Sequence, residues 1–240
     1  MMNEFKEGPR VNELDEIRAR YLRRDTRRLE QQQGWDAFSV LCGNERKEAL
    51  FKALQRRFPD RGPDSLTALD IGCGAGGSLL QFVEMGFDPA KLVGIDLISS
   101  RASNARGRLP QTVRILEGDA TTMQIPEGQF DIVQQSTVFT SILDDDVQVT
   151  LARRMWHLLA PRGLIIWYDF AYNNPRNRDV RGVPVSRIRE LFPQGKHSWR
   201  RITLAPPLGR YAAPLSTRLY LTLNSIPLLR SHVFATIDKD

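Results

Sequence analysis

Three aspartates and a glycine turn are the residues best placed to do chemistry in this sequence. Asp70, Asp96 and Asp119 each close or follow a short apolar run, and the first is succeeded by Gly72, Gly74 and Gly77. Leu66 to Gly77 reads as a strand, a sharp turn and the opening of a helix, a common form of ligand loop. Gly72 and Gly74 let the backbone turn tightly and approach a ligand, while Gly77 is expected to let the following helix close on the strand. The spacing fits G-x-G-x-x-G, with the acidic Asp96 further along, so a nicotinamide-dependent oxidoreductase is one reading. Asp70 argues against it. Two residues before the first glycine, its carboxylate would face the doubly charged pyrophosphate that a dinucleotide sets on the helix N-terminus.

The segment Leu69-Asp70-Ile71-Gly72-Cys73-Gly74-Ala75-Gly76 resembles motif I of the class I S-adenosyl-L-methionine (SAM) dependent methyltransferases. SAM has no phosphate and carries an ammonium and a sulfonium, so a carboxylate helps there. The resemblance covers about residues 60–240. It implies an α/β Rossmann-like fold: a seven-stranded, mostly parallel sheet with the last strand antiparallel and helices on both faces. It implies SAM as cofactor and S-adenosyl-L-homocysteine as product. Asp70, Gly72, Cys73 and Gly74 would form the loop. Asp96, ending the strand Lys91–Asp96, would take the ribose hydroxyls, and Leu97 would pack on the adenine. Gly118-Asp119-Ala120 resembles the motif in which an acid meets the adenine amino group and the next backbone N–H meets the ring. A dinucleotide enzyme has no need of this third acid, so the set Asp70, Asp96 and Asp119 favours SAM over NAD.

The elements that must position these residues follow from periodicity and end signals. Strands are expected at 66–71, 91–96, 113–117, 130–135, 164–169, 199–204 and 232–239. Helices are expected at 12–30, from an N-cap at Asn44 to Pro59, at 99–108, 184–192 and, interrupted by proline, 213–229. Asp144-Asp145-Asp146 opens a further helix, whose N-terminus favours carboxylates, so we read no metal site there. His157, in that helix, is read as structural. Residues 1–60 form an N-terminal helical extension or lid, with Tyr21 either covering the cofactor or packing. Residues 61–240 form the methyltransferase domain, with an acceptor loop at about 170–198.

At the carboxyl end of the fourth strand the chain reads Gln135-Ser136-Thr137-Val138, where methyltransferases of nucleobase amino groups often carry Asn/Asp-Pro-Pro-Tyr/Phe. Asn174-Pro175 follows a different strand. Gln135 and Ser136 are assigned to the methionine end of the cofactor or to the acceptor. Ser141, Tyr172, Asn173, Arg176 and Arg181 are the other acceptor-binding candidates. A hydroxyl acceptor would call for a base, with Asp169, Tyr172 and His197 the candidates, whereas a carboxylate or phosphate acceptor, already ionised, needs none. The loop at 170–183 and Val138–Leu143 look like a bacterial methyltransferase subgroup associated with polysaccharide and natural-product gene clusters. That likeness implies a glycan or small-molecule acceptor.

Composition sets the outer bounds. The 240 residues, 41% hydrophobic and 26% charged, suit one compact core. Two cysteines, Cys42 and Cys73, make no disulfide framework, and the first residues hold no apolar run, so a cytoplasmic protein without a signal peptide is expected. The apolar stretch Tyr211–Leu229 contains Arg218, Pro214 and Pro227, which argues against a membrane span and leaves a surface-lying helix as the alternative. Net charge is +6, with lysine a minority of the cations, which admits acidic substrates or nucleic acid. The arginine run at 18–28 has only Tyr21 as an interleaved aromatic, so nucleic acid is not the expected partner, though an RNA methyltransferase stands as the alternative. A SAM-binding module without catalysis is the third reading.

Overall fold

The computed structural model describes residues 13–23, 36–175 and 177–240. Its seven-stranded sheet has the order β3-β2-β1-β4-β5-β7-β6. The strands are β1 (Ala68–Ile71), β2 (Leu92–Asp96), β3 (Arg114–Glu117), β4 (Phe130–Ser136), β5 (Leu159–Phe170), β6 (Lys196–Leu204) and β7 (Arg230–Asp238). β1 to β5 pair in parallel, and β7 runs antiparallel between β5 and β6. This is the expected architecture, with the antiparallel last strand inserted between its neighbours.

Alternation along the strands divides the core between the two faces of the sheet. Leu69, Ile71, Val133, Ile165 and Trp167 pack on one side, beneath Ile17 of α1 (residues 13–23), Leu151 and Met155 of α5 (Asp145–Leu158) and Ile188 of α6 (Val185–Leu191). Ala68, Leu92, Ile132, Leu164 and Ile166 pack on the other. There they meet Leu50 and Leu54 of α2 (Ala37–Arg57), Leu79 and Phe82 of α3 (Gly77–Glu84) and Ala102 and Ala105 of α4 (Ser99–Arg108). Both faces are covered, as a parallel sheet requires.

Three expectations about elements are corrected. The second helix begins after Asp36, whose carboxylate accepts from Ser39 N at 2.6 Å, so Asn44 lies inside it. Gly43 weakens that first part intrinsically, but Phe38 is buried against Tyr220, and burial outweighs propensity. The expected helix at 213–229 is instead two, α7 (Pro206–Leu215) and α8 (Thr217–Asn224). Pro206 and Pro207 start the first at positions where proline costs no hydrogen bond. Ser216 caps the second, accepting from Leu219 N at 3.4 Å. Finally, β5 begins at Leu159 and reaches its main register through an irregularity opposite Phe130–Ile132.

Candidate active site

The glycine turn after β1 is held in the left-handed region at Gly72 (φ 68°), Gly74 (φ 55°) and Gly76 (φ 79°), where a side chain is disfavoured. A Cβ on Gly72 would stand 2.4 Å from Val138 Cγ2, and one on Gly76 would stand 2.6 Å from Leu109 Cδ1. Gly77 has nothing within 4 Å of such a carbon. The close approach assigned to Gly77 therefore belongs to Gly76.

Asp96 fastens this turn to the neighbouring strand. Its Oδ2 accepts from Gly74 N at 2.7 Å and its Oδ1 from Ile98 N at 2.8 Å. The N–H groups of Gly72 and Cys73 both donate to Ile95 O, at 2.8 and 3.0 Å. Beside the turn opens a cleft with about 610 Å³ of empty space, lined by Gly72, Asp96, Leu97, Asp119 and Ala120. Asp119 is oriented by Thr121, which donates from N at 2.8 Å and from Oγ1 at 2.6 Å. The ends of β1, β2 and β3 thus bring the expected ribose and adenine residues to one cavity.

Leu14, Ile17 and Tyr21 of α1 line the same cleft from the far side. Tyr21 Oη lies 3.2 Å from Ser141 Oγ, and the Arg101 guanidinium sits 4.2 Å over its ring. Glu13 accepts from Arg20 at 2.7 Å and from Leu143 N at 2.8 Å, and Arg23 pairs with Asp179 at 2.9 Å. Both ends of the covering helix are tied down.

A smaller pocket lies on the opposite face of the sheet, lined by Arg46, Gln81, Gln134, Gln135, Ser136 and Tyr168 among others. Asp70, 1% exposed, accepts from Gln134 Nε2 at 3.4 Å beside it. Burial pushes its carboxyl up to about 7, against the opposing pull of Gln134 and Arg46. Arg46 is a functional candidate that the sequence reading missed. It donates to Ser136 Oγ at 3.2 Å and to Gln81 Oε1 at 3.3 Å, and stands 5.4 Å over the Tyr168 ring. The available signal was its place, one turn before Leu50 and two before Ala53, on the buried stripe of α2. Gln135 is fully buried, with Oε1 taking Val138 N at 3.0 Å. Cys73 lies behind the turn, where desolvation drives its thiol upward in pKa, and its sulfur packs on Gly94. Thr137, between these residues and the cleft, holds φ 58°, a strained value for a β-branched residue.

These groups fit SAM. A buried carboxylate whose carboxyl burial pushes up to about 7 gains from an ammonium, a guanidinium suits the methionine carboxylate, and Leu97, Asp119 and Ala120 suit an adenosine.

The acceptor-side candidates are scattered by comparison. Ser141 lines the cleft. Arg181 pairs with Asp145, and its backbone N–H donates to Thr140 O at 2.8 Å. Asn173 Oδ1 accepts from Gly182 N at 2.8 Å, closing the loop on itself. Tyr172 is exposed, with Arg201 5.0 Å over its ring. Arg176 lies outside the described residues. Two base candidates are placed elsewhere. Asp169 is fully buried, its oxygens taken by Thr140 N at 3.1 Å and Phe170 N at 2.9 Å, so it secures the turn after β4. Its carboxyl is pushed up to about 7 by desolvation. His197 lies on the edge strand β6, and the register through Ile237, Ile165 and Val133 carries it to the level of Leu69, before the glycine turn. Its Nε2 is 2.8 Å from Phe192 O. Asp144, as expected, caps α5, accepting from Asp146 N and Val147 N at 2.8 and 3.0 Å.

Residues 68–163 match the Methyltransf_25 family, a methyltransferase domain. Over 166 residues the chain is 26% identical to a ubiquinone biosynthesis O-methyltransferase of Bradyrhizobium diazoefficiens, covering 65% of this chain and 59% of that one. It is 28% identical to a trans-aconitate 2-methyltransferase of Azoarcus sp., covering 72% and 68%. It is 27% identical to the tRNA N(3)-cytidine methyltransferase METTL2 of Gallus gallus, covering 54% and 36%. A TehB-like SAM-dependent methyltransferase of Corynebacterium glutamicum shares the fold at 16% identity, with a TM-score of 0.56 over 92% of this chain and 96% of that one. The chain spans less than two thirds of the first of these curated relatives. Residues 68–163 thus match a methyltransferase domain, the chain shares its fold with a SAM-dependent methyltransferase, and SAM is the cofactor that such a domain implies. Among the described residues no helix is long and apolar enough to cross a membrane.

Proposed function

We propose that the protein transfers the SAM methyl group to an oxygen of a small-molecule or glycan acceptor carrying negative charge. SAM supplies an electrophilic methyl on a sulfonium. Asp119, Ala120 and Leu97 would hold its adenine, Asp96 its ribose, Asp70 its ammonium and Arg46 its carboxylate. α1, within the N-terminal 60 residues, acts as a lid that excludes water from the cleft.

The observation that carries the acceptor reading is the burial of Asp169. With both oxygens taken by backbone N–H groups, and with His197 four strands from β1, neither is placed to take a proton from a hydroxyl. The third candidate, Tyr172, is exposed under Arg201 and does not line the cleft. An acceptor oxygen already ionised needs only positioning, which supplies up to about 7–11 kcal/mol of the barrier in favourable cases. Arg181 and Arg187 gather around Asp145 at the start of α5, four residues after Ser141, and bring two positive charges to that end of the sheet. The relative named for trans-aconitate, a carboxylate substrate, is in keeping with this reading.

The test is label transfer from methyl-tritiated SAM into separated host fractions, comparing wild type with Asp96→Ala and Arg181→Ala. Counts in an anionic small-molecule or glycan fraction, lost in both variants, are expected. Counts in RNA would overturn the proposal in favour of the nucleic-acid reading, for which the relative named for tRNA is the support.

A further inference from the structure

We propose that α7, α8 and the turn at Pro227–Leu229 form a docking face for an anionic lipid bilayer. This goes beyond the methyl-transfer reading and does not depend on it.

The unit is apolar on both sides. Inward, Gly209, Ala212, Ala213 and Tyr220 are buried, and the Phe38 ring lies so close to Gly209 that a Cβ there would meet it at 2.1 Å. Outward, where a surface helix is ordinarily polar, Leu208, Tyr211 and Leu215 form a stripe at spacings of three and four residues. Leu221, Ile226 and Leu228 are exposed further along the same unit. Tyr211 is 70% exposed, Leu215 62% and Leu228 81%. An exposed apolar set of this size on three consecutive elements marks an interaction surface.

Charge selects the partner. Between Glu190 and Asp238 the chain has no aspartate or glutamate, while Lys196, Arg200, Arg201, Arg210, Arg218 and Arg230 fall there. Arg210 and Arg218 are exposed among the leucines. The nearby Glu45 of α2 is turned inward, accepting from Thr203 N at 2.8 Å and Asn224 Nδ2 at 2.9 Å. A two-fold contact with a second copy would set this cationic patch against itself. Single-stranded nucleic acid takes aromatic platforms, and the exposed apolar side chains of the two helices and the turn are aliphatic apart from Tyr211, Trp199 lying on the edge strand β6. Leucines to enter the acyl boundary, arginines for lipid phosphates and a tyrosine for the interface match an anionic bilayer. At 10 and 8 residues, the helices reach about 15 and 12 Å, against the ~30 Å of a hydrocarbon core, so they lie on the surface.

The experiment is co-sedimentation of the full chain with phosphatidylcholine vesicles, with and without phosphatidylglycerol, at low and high salt. Binding is expected only with phosphatidylglycerol and is expected to fall with salt. Arg210→Ala with Arg218→Ala should weaken it by about twenty-five-fold, at roughly fivefold per arginine. Leu221→Glu with Leu228→Glu should abolish it while leaving the circular dichroism spectrum and SAM affinity unchanged. If the leucine pair fails to fold, the arginine pair decides alone. No binding to phosphatidylglycerol vesicles at low salt overturns the proposal. So does a solution dimer that the leucine pair converts to monomer, or RNA binding lost in the arginine pair without vesicle binding in wild type.

Discussion

The two halves of the sheet hold their functional residues in different ways. On the β1–β3 side, Asp70, Asp96 and Asp119 stand at or just beyond the ends of successive strands, and their partners are mostly backbone N–H groups of the strand-end turns, Gly74 N, Ile98 N and Thr121 N, with Gln134 Nε2 on Asp70. On the β5–β7 side, Arg181 pairs with Asp145 and Tyr172 with Arg201, both far along the chain, while Asn173 closes its own loop on Gly182. The first side is a repeat, set by the strand–helix unit. The second is a set of individual contacts, free to vary with the acceptor. The cofactor half is therefore expected to govern SAM affinity alone, and the acceptor half to govern acceptor use alone.

The largest effect should come from Asp96→Ala. It removes a cleft-lining carboxylate and leaves the N–H groups of Gly74 and Ile98 without acceptors, each worth about 1–3 kcal/mol. SAM affinity by titration calorimetry should fall at least about a hundredfold. A loss below tenfold would mean that the cofactor half is not organised by its carboxylates.

Arg46→Ala comes next, at about tenfold or more in SAM affinity, because a charged hydrogen-bonding partner is lost. Arg46→Lys should recover little, since the fork that spans Ser136 and Gln81 is absent from an ammonium. Full recovery with lysine would reduce Arg46 to a diffuse positive charge.

The third effect is on pH. With its carboxyl near 7, Asp70 is increasingly ionised as pH rises through 7, and the ionised form attracts a cationic ligand. SAM affinity should therefore climb from pH 6 to pH 8 and flatten above, with the slope missing in Asp70→Asn. Folding stability runs the opposite way. Asp70 and Asp169 keep their protons to about pH 7 in the native chain, whereas an unfolded aspartate loses its proton near 4. The unfolded state binds fewer protons in that window, so these two groups make stability fall between about pH 4 and 7. Thermal melts of Asp169→Asn should show a shallower fall than wild type.

The smallest effect sharpens the division. Asn173→Ala removes one loop-closing hydrogen bond, at about 1 kcal/mol of stability. It should raise the acceptor KM while SAM affinity stays put. A parallel drop in SAM affinity would show that the halves are coupled.

The same contrast explains what was legible in the sequence. Strand ends carrying acids and a glycine turn are local patterns, so the fold and the cofactor cleft could be read from spacing. Arg46 stood on the buried stripe of its helix, but its approach to Ser136 and Gln81 is a tertiary contact that no spacing encodes; the helix turns before Asn44 were hidden by Gly43. Their stability comes from Phe38 meeting Gly209 and Tyr220, which lie far along the chain. Asp169 ends a strand like the acids before it, which made it look catalytic. That it faces the turn at Phe139–Ser141 depends on a tertiary approach no spacing encodes. Gly76 and Gly77 are adjacent, and the positive φ of the first together with the packing of Leu109 distinguishes them.

α1 covers the cleft as part of the chain itself, with Ile17 sunk in the core, Glu13 bound to Leu143 N and Arg23 bound to Asp179. Under the proposed function this cover is in place before any acceptor arrives, and it would stay over S-adenosyl-L-homocysteine after the methyl had gone. Departure of the spent cofactor then waits on the lifting of a helix, so turnover would be paced by escape and the product would act as a tenacious inhibitor of its own enzyme.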